Sequence, residues 1–161
     1  ALNEVRGNID QIKTDESLGD VVNSAKQPNI SFIIGHGGRD DDKFRAVSLE
    51  GNEYFLSNEM AASNKDDIVV LFICHAGFAS AKEFCTDVYS LANEFLRRGA
   101  RHVIAPSWKL NTLLVGPWSK AFMEYLLQTC SPSLACFYAN MEIRKEFKSL
   151  AAWACLQHYG G

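Results

Sequence analysis

Apolar and polar positions divide the chain into short runs of two periods. Residues 1–29 are mostly polar, with a helix predicted around 15–25 and closed by Pro28-Asn29. "ISFII" (30–34) is β-branched and aromatic with glycines after it, which predicts a buried strand. "RAVSLEGNEYFL" (45–56) alternates on both sides of Gly51-Asn52, the pattern of a hairpin, and Ser57 can cap a short helix through Ser63. "DIVVLFI" (67–73) has six apolar residues of seven and suits a central strand covered on both faces. Phe84, Val88, Leu91, Phe95 and Leu96 keep helical spacing over 81–98, and Arg97-Arg98-Gly99 supplies the stop. "HVIAP" (102–106) predicts another strand. Pro117 fits the first turn of a helix running to about Thr129, and a further helix covers about 134–150. "AAWACLQHY" (151–159) reads as an edge strand. Strands alternating with helices of crossover length predict an α/β fold, with a mostly parallel central sheet and helices on both faces.

Length and composition narrow the picture. The chain has 161 residues and 47% hydrophobic content, enough for one domain over 1–161 with its own core. Lys plus Arg is 16 and Asp plus Glu is 19, so the net charge is 16 − 19 = −3. No basic footprint for nucleic acid or an anionic membrane is visible, and the mixed run Arg39-Asp40-Asp41-Asp42-Lys43 reads as a solvated loop. The five cysteines (Cys74, Cys85, Cys130, Cys136, Cys155) are odd in number and form no C-x-x-C pair. Free thiols in a reducing, cytoplasmic setting are expected, without a disulfide framework. No signal peptide or long apolar span is seen. The polar start at Ala1 suggests a piece of a longer protein.

Two strand ends carry candidate chemistry. "FIIGHGG" (32–38) delivers His36, and "LFICHAG" (71–77) delivers Cys74. In an open parallel sheet, function gathers at the carboxyl ends of strands. If these two strands are neighbours, both side chains emerge at one edge. A thiol needs a base to become a thiolate near neutral pH, and imidazole is the common one. Gly35, Gly37, Gly38 and Gly77 leave room for backbone N–H groups to meet a developing oxyanion. Taken singly, a cysteine at a strand end is usually packing and a histidine in a turn is usually surface; their occurrence at equivalent strand ends is what points to a site. His75 follows Cys74 on a chain read as extended, so it should point away from the thiol and serve a structural or substrate-facing role. A zinc site of Cys74, His75 and His36 lacks a fourth ligand at a familiar spacing. There is no G-x-S-x-G elbow, Walker loop or G-x-G-x-x-G fingerprint. His102 and His158 read as structural.

In their order, these segments resemble the CHAT family of caspase-like cysteine proteases, relatives of caspases and separase. "FIIGHGG" looks like that family's strand ending in the catalytic His-Gly, and "VVLFICHAG" like its nucleophile strand with Cys-x-x-Gly. "FLRRGARHVIAPSW" is similar to its helix, Gly-Ala turn and Trp-ending strand, and "AAWACLQHYGG" to its terminal Trp-Ala segment. The resemblance spans about 29–161. The His-to-Cys gap is 74 − 36 = 38 residues, against about 50 in caspases. The resemblance implies a caspase-hemoglobinase fold and a cysteine endopeptidase without cofactor or metal. His36 would be general base and acid, Cys74 the nucleophile, and the N–H groups of Gly37 and Cys74 the oxyanion hole. The substrate would be a protein or peptide. An inactive relative serving as an interaction or regulatory module is the alternative. An activating partner or an upstream portion with tetratricopeptide repeats is also expected, with residues 38–44 and 107–116 as loops such a partner would order. One departure stands out: the segment after Trp108 (Lys109, Leu110, Asn111, Thr112) lacks the acidic residue the family often has there.

Overall fold

A computed structural model describes residues 30–40, 43–47, 54–62, 66–77 and 90–161. Their elements in chain order are β1 (Ile30–Asp40), β2 (Lys43–Val47), β3 (Tyr54–Leu56), α1 (Ser57–Ala62), β4 (Ile68–Ile73), α2 (Leu91–Arg97), β5 (His102–Pro106), a 3-10 turn (Thr112–Leu114), α3 (Val115–Thr129), α4 (Pro132–Glu146), α5 (Leu150–Trp153) and β6 (Leu156–Gly160). The strands form one sheet in the order β3-β2-β1-β4-β5-β6. Its centre, β1-β4-β5, is parallel; β2 and β3 on one flank and β6 on the other are antiparallel. Among these residues no helix is long and apolar enough to cross a membrane.

Alternation along the central strands divides the core in two, because successive side chains leave opposite faces. Ile33, Val69, Leu71, Ile73, Val103 and Ala105 pack with Met60 and Ala61 of α1 and with Leu91, Ala92 and Phe95 of α2. Val70, Phe72 and Ile104 pack on the other face with Trp118 and Phe122 of α3 and with Ala135, Ala139 and Ile143 of α4. On that second face Trp118 stacks on Phe122 at 4.9 Å and meets Phe72 edge-on at 5.8 Å. Burying each such ring stabilises the fold by about 1.5–3 kcal/mol. Helices thus cover both faces of a sheet whose β4 is buried from Val69 to Ile73, as its unbroken apolar run requires.

Several boundaries differ from expectation, each for a local reason. β1 does not stop before the glycines. It runs on to Asp40 and pairs antiparallel with β2, Asp40 opposite Lys43, so Arg39, Asp40 and Lys43 of the mixed charge run are strand residues rather than loop; residues 41–42 lie outside the described part. The expected hairpin pairing survives as β2 against β3, with Arg45 opposite Leu56. The helix expected over 81–98 is not continuous. Ser90 is extended (φ −142°, ψ 160°), and its hydroxyl accepts from the Asn93 N–H, so α2 starts anew at Leu91; residues 81–89 lie outside the described part. Gly99 ends α2 at φ 100°, a left-handed position that glycine fills without strain. The helix expected over 134–150 ends instead at Glu146. Residues 151–153 of the expected edge strand belong to the helical turn α5, where Ala151 O accepts from Trp108 Nε1 at 2.7 Å, and the strand itself is Leu156–Gly160. The helix predicted at 15–25 lies outside the described residues.

Candidate active site

The parallel pairing of β1 and β4 runs from Ile30 opposite Ile68 to Gly35 opposite Ile73. The offset is constant, since 68 − 30 = 73 − 35 = 38. Cys74 is 38 residues beyond His36. One further step of the same register therefore brings His36 level with Cys74 at the carboxyl edge of the sheet. Alternation places both on the α3/α4 face, with Phe32 and Phe72. Cys74 packs against that core at partial burial, and His36 is exposed. Among the described residues no hydrogen bond joins imidazole to thiol, although the register aligns the two. His36 is not in a turn, as its glycines suggested. It is the strand residue at which β1 takes a new neighbour: its last pair with β4 is at Gly35, and its first pair with β2 is His36 opposite Val47.

Cys74 opens a tight turn, residues 74–77, seated on the end of β5. Ala76 N donates to Ile73 O at 3.1 Å, His75 N to Trp108 O at 3.3 Å, and Gly77 N to Pro106 O at 3.0 Å. His75 has φ 61°. The extended chain assumed when placing His75 opposite Cys74 is absent here, and a left-handed turn residue takes its place. Gly77 is required by packing: a Cβ there would collide with the Tyr159 hydroxyl. That hydroxyl lies 3.1 Å from Gly77 O and 3.0 Å from Ser107 Oγ.

The segment after β5 lies between two thiols. Leu110 N donates to Cys74 Sγ at 3.4 Å. Cys155 Sγ donates to Trp108 O and Lys109 O, each at 3.8 Å. Cys155 is a different group. Burial pushes its thiol up to about 11. Cys136, donating to Leu156 O at 3.7 Å, is pushed up by burial to about 12. Cys130 is exposed, in the left-handed residue that ends α3. Cys85 lies outside the described residues.

The two remaining histidines meet at the opposite end of the sheet. His102 Nδ1 and His158 Nε2 are 3.0 Å apart across β5 and β6, and burial, followed by the neighbouring His102, lowers the His158 pKa below 6.5. Among the described residues no group of three or more His, Cys, Asp or Glu is arranged to hold a metal.

Gly37 lies next to His36 on β1, opposite Ala46. Sequence reasoning reached His36, Cys74 and Gly37 but passed over Tyr159, Ser107 and the Leu110 N–H. For Tyr159 the sequence carried no local signal, because the close approach of its hydroxyl to Gly77 emerges only in the fold. No protein-family model and no curated protein matches the chain.

Proposed function

We propose that the protein is a cysteine endopeptidase of the caspase-like, CHAT-family type, with Cys74 as nucleophile and His36 as general base and acid. The observation that carries this reading is the common offset of 38 in the β1–β4 register and in the His36–Cys74 spacing. A parallel sheet centre covered by helices on both faces supports the finer, caspase-hemoglobinase reading of the fold.

In this mechanism His36 takes the Cys74 proton, and the thiolate attacks the scissile carbonyl. The oxyanion that forms is met by the backbone N–H groups of Gly37 and Cys74. Collapse breaks the C–N bond, and the imidazolium returns its proton to the leaving amine. Water then attacks the thioester while His36 accepts its proton, and that proton goes to the departing sulfur of Cys74. The residues supply nucleophile, base and oxyanion donors, so the scheme uses no cofactor. The substrate is a protein or peptide, and nucleic acid and membrane have no part in it. The four described cysteines are free thiols, two of them buried, which suits a reducing cytoplasm.

The lack of a hydrogen bond between His36 and Cys74 favours a resting state. Turnover then requires a partner or upstream regulatory domain, such as tetratricopeptide repeats, to bring the two side chains together. An inactive interaction module is the competing reading. A thiol-reactive peptide probe, applied with and without an N-terminal extension or candidate partner, tests all three. Labelling of Cys74 that requires His36 supports the protease. Labelling only with the partner supports gating. Indifference to the peptide portion of the probe under every condition overturns the endopeptidase.

A further inference from the structure

We infer that Tyr159, braced by Ser107, is the positioning residue of the Cys74 turn, an inference that rests on the endopeptidase reading for its catalytic meaning. Tyr159 belongs to β6, opposite Val103 of β5. Its partly buried ring packs with the core on the α1/α2 face. From there the hydroxyl reaches past the end of β5 to the last residue of the turn that begins with Cys74. It donates to Gly77 O at 3.1 Å. Having given its one proton away, it is left to accept, and Ser107 Oγ at 3.0 Å is the donor. The result is a chain, Ser107 O–H to Tyr159 O–H to Gly77 C=O, whose two bonds polarise one another.

Two further features tie this chain to the turn. Gly77 has no room for a Cβ because the Tyr159 hydroxyl occupies the space. Gly77 N is bonded to Pro106 O at 3.0 Å, so both polar groups of this residue are held from the β5–β6 side. The glycine three residues after the cysteine and the tyrosine near the end of the chain are therefore one device. The first is the socket and the second is the peg. Its effect on Cys74 is indirect: a turn fixed at both ends keeps the sulfur at the Leu110 N–H and in register with His36. Reaction geometry tolerates little displacement, so loosening such a turn lowers rate more than binding.

The experiment compares wild type with Tyr159→Phe, Ser107→Ala and, as a control on the same strand, Gln157→Ala. Two readouts are taken: the rate of Cys74 alkylation by iodoacetamide at neutral pH, and peptide turnover resolved into kcat and KM. Tyr159→Phe is expected to slow alkylation and to lower kcat by roughly tenfold, the scale of one lost hydrogen bond, with KM little changed. Ser107→Ala should show the same pattern at smaller size, and it keeps the test alive if Tyr159→Phe fails to fold. Gln157→Ala should change neither readout. Wild-type alkylation and kcat in both Tyr159→Phe and Ser107→Ala would overturn the inference, as would a change confined to KM. If wild type cleaves no peptide under any condition, the endopeptidase reading fails, and the alkylation rates alone still decide whether Tyr159 positions the thiol.

Discussion

Each end of the parallel sheet carries a pair of chemically capable side chains, and the pairs are held in opposite ways. At the amino end, His102 and His158 satisfy one another at 3.0 Å across β5 and β6. At the carboxyl end, His36 and Cys74 share a register but no hydrogen bond, and the sulfur accepts from the Leu110 backbone instead. In the closed pair one ring nitrogen of each histidine is committed to the other, so the two rings fix each other's orientation across β5 and β6. In the open pair the imidazole and the thiol share a register without being bonded to each other, the arrangement that the proposed mechanism starts from. Reactive residue types alone do not make a site; what matters is whether they have already satisfied each other.

The largest expected effect that sharpens this contrast is Cys74→Ala. It should abolish peptide cleavage while leaving thermal melting near wild type, whereas His158→Gln should leave cleavage nearly unchanged. Full activity in Cys74→Ala would end the protease reading. Next comes the choice of base. His36→Ala should cost about 10²–10⁴-fold in turnover, the usual range for a general acid–base group, and His75→Ala far less. The reverse order, measured on the same peptide, would move the base onto the turn itself.

Thiol labelling gives an intermediate effect. Against a cysteine at the ordinary value of 9.0, values of about 11 for Cys155 and about 12 for Cys136 leave roughly a hundredfold and a thousandfold less thiolate near neutral pH. Native labelling of both should therefore lag well behind labelling in denaturant. Rapid native modification of either, read by mass spectrometry, would contradict the burial described here.

The smallest effect belongs to the closed pair. The folded-state pKa of His158 is lowered below 6.5, so just below that pH the unfolded chain binds more protons than the folded one. The stability linked to His158 is thus present above pH 6.5 and is lost as pH falls through the folded value. His158→Gln should flatten the dependence of melting temperature on pH in that window. An unchanged slope would show that His158 does not titrate with folding.

Much of this was legible in the sequence, for identifiable reasons. The run at 67–73 read as a central strand because six apolar residues of seven demand cover on both sides, and 102–106 read as the next strand. The spacing of His36 and Cys74 was visible as a number, and it gained meaning when the β1–β4 register proved to have the same offset. Three things were harder to read. Glycines after Ile34 resembled a turn, yet β1 continues through them, since glycine weakens a strand without forbidding it. The heptad-like spacing across 84–96 hid the cap at Ser90, where a side-chain hydrogen bond replaces the backbone ladder. The contact of Tyr159 with Gly77 spans 82 residues of chain, and no local pattern encodes a hydroxyl meeting a glycine across a strand.

The partner change in β1 has a mechanical consequence. Up to Gly35 the strand is part of the central slab, and from His36 onward its described pairing is with the β2–β3 ribbon. The cysteine therefore follows a strand of the slab, and the histidine sits where the slab hands over to the ribbon. Two separate hydrogen-bond ladders, β1–β4 on one side and β1–β2 on the other, meet at the residue next to His36, so the placing of the imidazole depends on both.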